Sequence, residues 1–129
     1  MQLSVDTWDG VHVSFVEIGE PTLEQVLEAV DQLDSKIHTE VSVRRDEPFE
    51  YLTIAGGPEY FLVSGEGRDG SFPQLTTPDA GEGKVTLVVG GQSSEFNLTD
   101  VVRRDRIPGA VQQLFDGLTE DLPAPWVVE

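Results

Sequence analysis

Short β-prone runs punctuated by turns of Gly or Pro fill the middle of this chain, and that succession restricts its fold more than any other feature. The runs cover residues 40–44, 49–55, 60–64, 85–89 and 94–98. Asp46-Glu47-Pro48, Gly56-Gly57-Pro58 and Gly90-Gly91 separate them. Each separator has a backbone reason, since Pro presets φ and Gly accepts positive φ. A further pair of runs comes first. Leu3, Val5 and Thr7 alternate with Ser4, Asp6 and Trp8, Asp9-Gly10 follows, and Val11 to Val16 resumes the β pattern, which predicts a hairpin turning at Asp9-Gly10.

Two stretches carry helical rhythm instead. Thr22 and Gln25 have capping-box spacing, and Leu23, Val26, Leu27, Val30 and Leu33 mark one face of a helix predicted over residues 22–36. Glu24, Glu28, Asp31 and Ser35 fall on its outward side. Near the end, Asp105 is placed to cap a second helix with Pro108 in its first turn. Ile107, Val111, Leu114 and Phe115 would form the buried side of that helix, and Gly117 its end. Residues 65–84 read as a long loop holding one short edge strand, and residues 123–128 as a last strand anchored by Trp126. Strands dominate without βαβ alternation, so the expected fold is α+β. Its mainly antiparallel sheet has one helix before and one after the central strands, in a single domain over residues 1–129.

Charge narrows the partners. Lys and Arg number 8 against 24 Asp and Glu, a net of −16. Such a field repels nucleic acid and anionic membranes and attracts basic proteins. Residues 1–43 hold nine acids against the single Lys36, a net of −8, so the bias is strongest there. An acidic surface also serves solubility or salt adaptation, and that reading competes. The absence of Cys removes disulfides, thiolate metal sites and a Cys nucleophile. No secretory pattern opens the sequence and no apolar run is long enough to span a bilayer, so the expected location is cytoplasmic.

Reactive groups are sparse. His12 alternates with Val11 and Val13 and is expected to face solvent, while His38 is expected to meet the C-terminus of the first helix. Neither has a metal-binding neighbourhood. The carboxylates Asp46, Glu47 and Glu50, and Glu66 with Asp69, lack calcium-loop spacing. The glycines from Gly65 to Gly70 do not lead from a strand into a helix, and no serine sits in a nucleophile elbow. The expectation is a non-catalytic protein without metal or cofactor. Asp46, Glu47, Glu66 and Asp69, set on loops by Pro48, Gly65, Gly67 and Gly70, are the candidate contacts with a basic partner.

The last forty residues add a likeness. Gly90-Gly91-Gln92-Ser93-Ser94-Glu95-Phe96, then a helix carrying Ala110, Val111 and Phe115, then Leu122-Pro123 and Trp126, resemble the first-described immunity-protein family of bacterial polymorphic toxin systems. The resemblance extends from about Glu20 onward, with its motifs in the final third. It implies a cytoplasmic inhibitor of a cognate toxin, of a kind that includes nucleic-acid deaminases and nucleases. Charge and resemblance together point to occlusion of the toxin's basic nucleic-acid-binding cleft, with the acidic loop residues Asp46, Glu47, Glu66 and Asp69 as the expected contacts. Gly90, Gly91, Glu95, Phe96, Phe115 and Trp126 carry the family pattern and read as structural, all but Glu95 as turn and core residues. Two other classes fit the composition: an acidic adaptor or structural subunit of a bacterial secretion or regulatory complex, and a small enzyme or metal-binding protein using the carboxylates.

Overall fold

A computed structural model describes residues 1–129. The chain opens with a hairpin of β1 (Gln2–Asp9) and β2 (His12–Gly19), followed by α1 (Leu23–Asp31). Then come β3 (Glu40–Asp46), β4 (Phe49–Gly56), β5 (Tyr60–Glu66) and the short β6 (Pro73–Leu75). A second hairpin, β7 (Lys84–Val89) and β8 (Gln92–Asn97), leads through 3₁₀ turns and β9 (Val102–Arg103) into α2 (Ile107–Asp116) and β10 (Trp126–Val128). The main sheet runs β10-β6-β5-β4-β3-β1-β2 with β9 added to β5, and β7–β8 form a separate two-stranded ribbon. Every pairing is antiparallel. The class is therefore α+β with a mostly antiparallel sheet.

Strand alternation decides what each face of the sheet carries. Leu3, Val5, Val41, Val43, Leu52, Ile54, Phe61, Val63 and Leu75 point to the face that α1 and α2 cover. Val26, Val30, Ile107, Val111 and Leu114 close the core from the helix side. The intervening residues face the other way. The β7–β8 ribbon packs at one end of that second face, where Leu87 is buried against Gly56.

Local chemistry revised several boundaries. The capping box at Thr22 and Gln25 forms, but α1 stops at Asp31, well short of residue 36. The Asp34 carboxylate accepts the N–H groups of Lys36, Ile37 and His38, and Ser35 turns out at φ 58, so the backbone leaves the helix there. Burial pushes the Asp34 carboxyl up, yet these N–H groups outweigh it and hold the group below the ordinary aspartate range. Asp105 does not cap α2. The chain enters that helix through a 3₁₀ turn at Arg104–Arg106, fixed by an Arg104–Asp31 ion pair, and Arg106 holds the cap position with no side-chain bond. Phe115 is only half-buried, at the margin of the core. In the first hairpin Asp9 pairs with His12, so the turn residues are Gly10 and Val11, one position later than expected. Only Gly10 has positive φ, the requirement of a II′ turn and not of I′. The last strand is confined to Trp126–Val128.

Candidate partner-docking surface

The expected contact residues gather at one end of the sheet, with different surroundings from those foreseen. Asp46 and Glu66 are not loop residues: they close β3 and β5. Asp46 is exposed and pairs with Arg44 at 2.9 Å, Glu47 is exposed in the β3–β4 turn, and Glu66 is half-buried opposite Tyr51. Asp69 does sit on a loop, but its carboxylate is occupied. It accepts Ser71 Oγ at 2.5 Å, Ser71 N at 3.2 Å and Glu120 N at 2.8 Å, tying the β5–β6 loop to the segment before β10. The Ser71 hydroxyl, followed by the Glu120 N–H, holds the Asp69 carboxyl below the usual aspartate range.

Between these acids lies an apolar surface that the sequence reading missed. Phe49, Tyr51, Val127 and Phe72 share the face opposite the helices, with Phe49 47%, Phe72 53% and Val127 52% exposed. Phe49 and Tyr51 meet edge to face with ring centroids 5.9 Å apart. Tyr51, Phe72, Val127 and Glu129 border a depression of about 250 Å³. Asp46 pairs with Phe49 across the ladder, so carboxylates rim an aromatic centre. The signal was present in the period-2 pattern: Leu52 and Ile54 point into the core, so Phe49 and Tyr51 must point away from it.

Beneath this end is a buried ionic knot. Glu50 has 0% exposure and receives Arg45 Nη1 at 2.7 Å and Arg68 Nε at 2.8 Å. Arg45 also donates to the Phe115 carbonyl near the C-terminus of α2, which favours positive charge. The Glu50 contacts in turn raise the Arg68 guanidinium above its usual range.

A second polar centre lies at the opposite end, under the ribbon. Asp6 is 2% exposed and accepts Trp8 Nε1 at 2.8 Å, Thr39 N at 2.6 Å, Glu40 N at 2.9 Å and the Thr39 hydroxyl. Thr39 Oγ1 accepts the Gly91 N–H at 3.1 Å, which ties the Gly90-Gly91 turn to the sheet. Burial, and then the nearby Asp6 charge, pushes the Glu40 carboxyl up. His38 does not meet the end of α1; its Nδ1 lies 2.8 Å from the Asp6 carbonyl. His12 is exposed on β2.

The family-pattern residues divide by position. Gly90 and Gly91, at φ 57 and 80, form the ribbon turn, and both have the positive φ of a I′ turn. Glu95 is exposed on β8, Phe96 is half-buried beside it, and Trp126 packs half-buried against the core opposite Leu75. The largest depression, about 380 Å³, lies elsewhere, among Tyr60, Thr77, Asp79, Val101 and Arg103. Arg103 there is already engaged with Glu59 at 3.3 Å and the Tyr60 hydroxyl at 2.8 Å. No group of His and carboxylates is arranged to hold a metal ion, and no helix is long and apolar enough to cross a membrane. No family model, curated protein or solved structure matches the chain.

Proposed function

We propose that this protein acts by binding another protein, as a cytoplasmic immunity protein that neutralises a cognate bacterial toxin by covering its active site. The observation that carries the reading is the end of the sheet where exposed Phe49, Phe72 and Val127 lie among Asp46, Glu47, Glu66 and Glu129. An aromatic centre with a charged rim is the usual composition of a protein-binding hot spot. The acidic rim and the net charge of −16 suit a basic cleft built to hold phosphates. The most buried carboxylates, Asp6 and Glu50, spend their oxygens on donors of their own chain, which leaves them little capacity for acid–base work.

Occlusion needs no chemistry from the inhibitor. Rim acids would speed encounter, and burial of the aromatic rings would slow dissociation. The test is co-expression with the product of the gene directly upstream. The expected results are restored growth and a co-purifying one-to-one complex. A Phe49→Ala/Phe72→Ala variant should fold normally and lose both. Failure of the unmodified protein to protect or to co-purify would remove the immunity reading. Full protection by the folded double variant would remove this surface from it.

A further inference from the structure

β2 is a long edge strand that lacks most of the protections natural edges carry, Glu17 being its one acidic or basic side chain. Its eight residues pair in unbroken register with β1, and no strand lies on its other side. Edges are ordinarily blunted by shortness, Lys, Pro or a bulge. The opposite edge of the same sheet follows that rule, since β10 has three residues and is preceded by Pro125. β2 reads His-Val-Ser-Phe-Val-Glu-Ile-Gly, with no Lys or Pro. Val13, Phe15 and Val16 are 41%, 60% and 56% exposed. Beside the strand, a groove of about 180 Å³ runs between Val16 and Ile18 on β2 and Gln25, Glu28 and Ala29 on α1.

The geometry points to β2 as a strand-addition site for an extended segment of a partner protein in which apolar residues alternate with Lys or Arg. Main-chain hydrogen bonds to the free edge would supply affinity, and alternate side chains would enter the α1 groove. Charge selects the occupant. Glu17 lies on the strand, Glu20 follows it, and Glu24 and Glu28 are exposed on α1 beside the groove. A second copy would oppose −16 with −16 and bring the acidic faces of two α1 helices to the same side of the seam. The inference does not depend on the toxin reading, because it concerns the β2 edge and not the aromatic end of the sheet.

The probe is a synthetic ten-residue peptide alternating Val and Lys, capped at both ends, added to the ¹⁵N-labelled protein. Amide protons of β2 that do not pair with β1 should gain exchange protection, and those of β10 should not. A Val/Glu peptide should bind at least about tenfold more weakly. N-methylation of the Lys peptide on the strand-facing amides should weaken binding to a similar degree, while methylation of the solvent-facing amides should not. Val13→Lys/Phe15→Lys changes only exposed side chains and should abolish protection. Should that variant fail to fold, the two methylated peptides test the unmodified protein directly. Equal binding of the Val/Glu peptide, equal binding of both methylated peptides, or absence of β2 protection at saturation would each overturn the proposal. Concentration-dependent β2 protection without peptide would assign the edge to a second copy and overturn it too.

Discussion

Trp8 and Gly91 fit together so closely that a Cβ at Gly91 would overlap the six-membered ring of the Trp8 indole. The indole is held from its other side, since its Nε1 donates to Asp6 at 2.8 Å. A polar circuit therefore runs from Gly91 through Thr39 and Asp6 to Trp8, and it fastens the β7–β8 ribbon to the main sheet. Gly91→Ala meets two penalties, the overlap and a residue at φ 80. The expected loss is about 2–4 kcal/mol, from strain at positive φ plus overpacking. Urea unfolding measures the loss, and Trp8 fluorescence reports whether the ribbon has shifted. A variant with unchanged midpoint and unchanged fluorescence would contradict the close packing.

Glu50 should be the carboxylate whose removal costs the most at the aromatic end. Glu50→Ala removes the carboxylate that Arg45 and Arg68 share and leaves Arg45 only the Phe115 carbonyl; both arginines are partly exposed, 22% and 37%, so water compensates in part. The expected cost is about 2–3 kcal/mol, below the full penalty of breaking a wholly buried pair. A double-mutant cycle with Arg68→Ala isolates the pair. Coupling below about 0.5 kcal/mol would take the Arg68 contact out of that cost and leave it to the Arg45 pair and packing.

Most strands and turns were legible because local chemistry sets them: alternation for β3 to β5, paired glycines for the β7–β8 turn, a capping box for the start of α1; the β1–β2 turn is the exception, at Gly10-Val11. What escaped was fixed by partners distant in sequence. α1 ends early because Asp34 captures the N–H groups that follow it, an option that the apolar rhythm up to Leu33 does not register. Asp105 has the right spacing for a cap, yet Arg104 reaches back to Asp31 and a 3₁₀ turn takes its place. The four acids chosen from sequence do collect at one end of the sheet. Their exposure was inferred from nearby Gly and Pro, which cannot reveal that Asp69 is claimed by Ser71 and Glu120. The aromatic surface between them is signalled only by alternation within β4, and Phe72 and Val127 join it through strand pairings that the sequence does not show.

Glu40 gives a pH-dependent test of the Asp6 centre. Burial and the neighbouring Asp6 charge raise its folded pKa above the ordinary glutamate value of 4.5, so the folded state binds this proton more tightly than the unfolded one. Ionisation of Glu40 therefore costs stability at neutral pH, and the cost disappears as pH falls through the raised value toward 4.5. Glu40→Gln should raise the melting midpoint at pH 7 and leave it nearly unchanged below about pH 4. Thermal denaturation across that range reads the difference. An equal or lower midpoint for the variant at pH 7 would place the Glu40 carboxylate in a favourable contact instead.

The acids near the aromatic surface should divide by how they are held. Asp46→Lys and Glu47→Lys change exposed side chains and should each shift stability by no more than about 0.5 kcal/mol, while slowing association with a basic partner. Asp69→Lys should lower the melting midpoint clearly, because Ser71 N, Ser71 Oγ and Glu120 N all lose their acceptor. The Asp69 carboxyl lies below its ordinary value of 3.8 in the folded state, so its contribution is complete above that pH and fades as pH falls through the lowered value. The gap between the unmodified protein and Asp69→Asn should therefore be widest at neutral pH and close in acid. Hydrogen exchange at the Glu120 amide gives the local readout, and faster exchange in Asp69→Asn but not in Asp46→Asn is the expected pattern. Unaltered exchange at Glu120 would release Asp69 from its structural role and return it to the proposed docking rim beside Asp46 and Glu47.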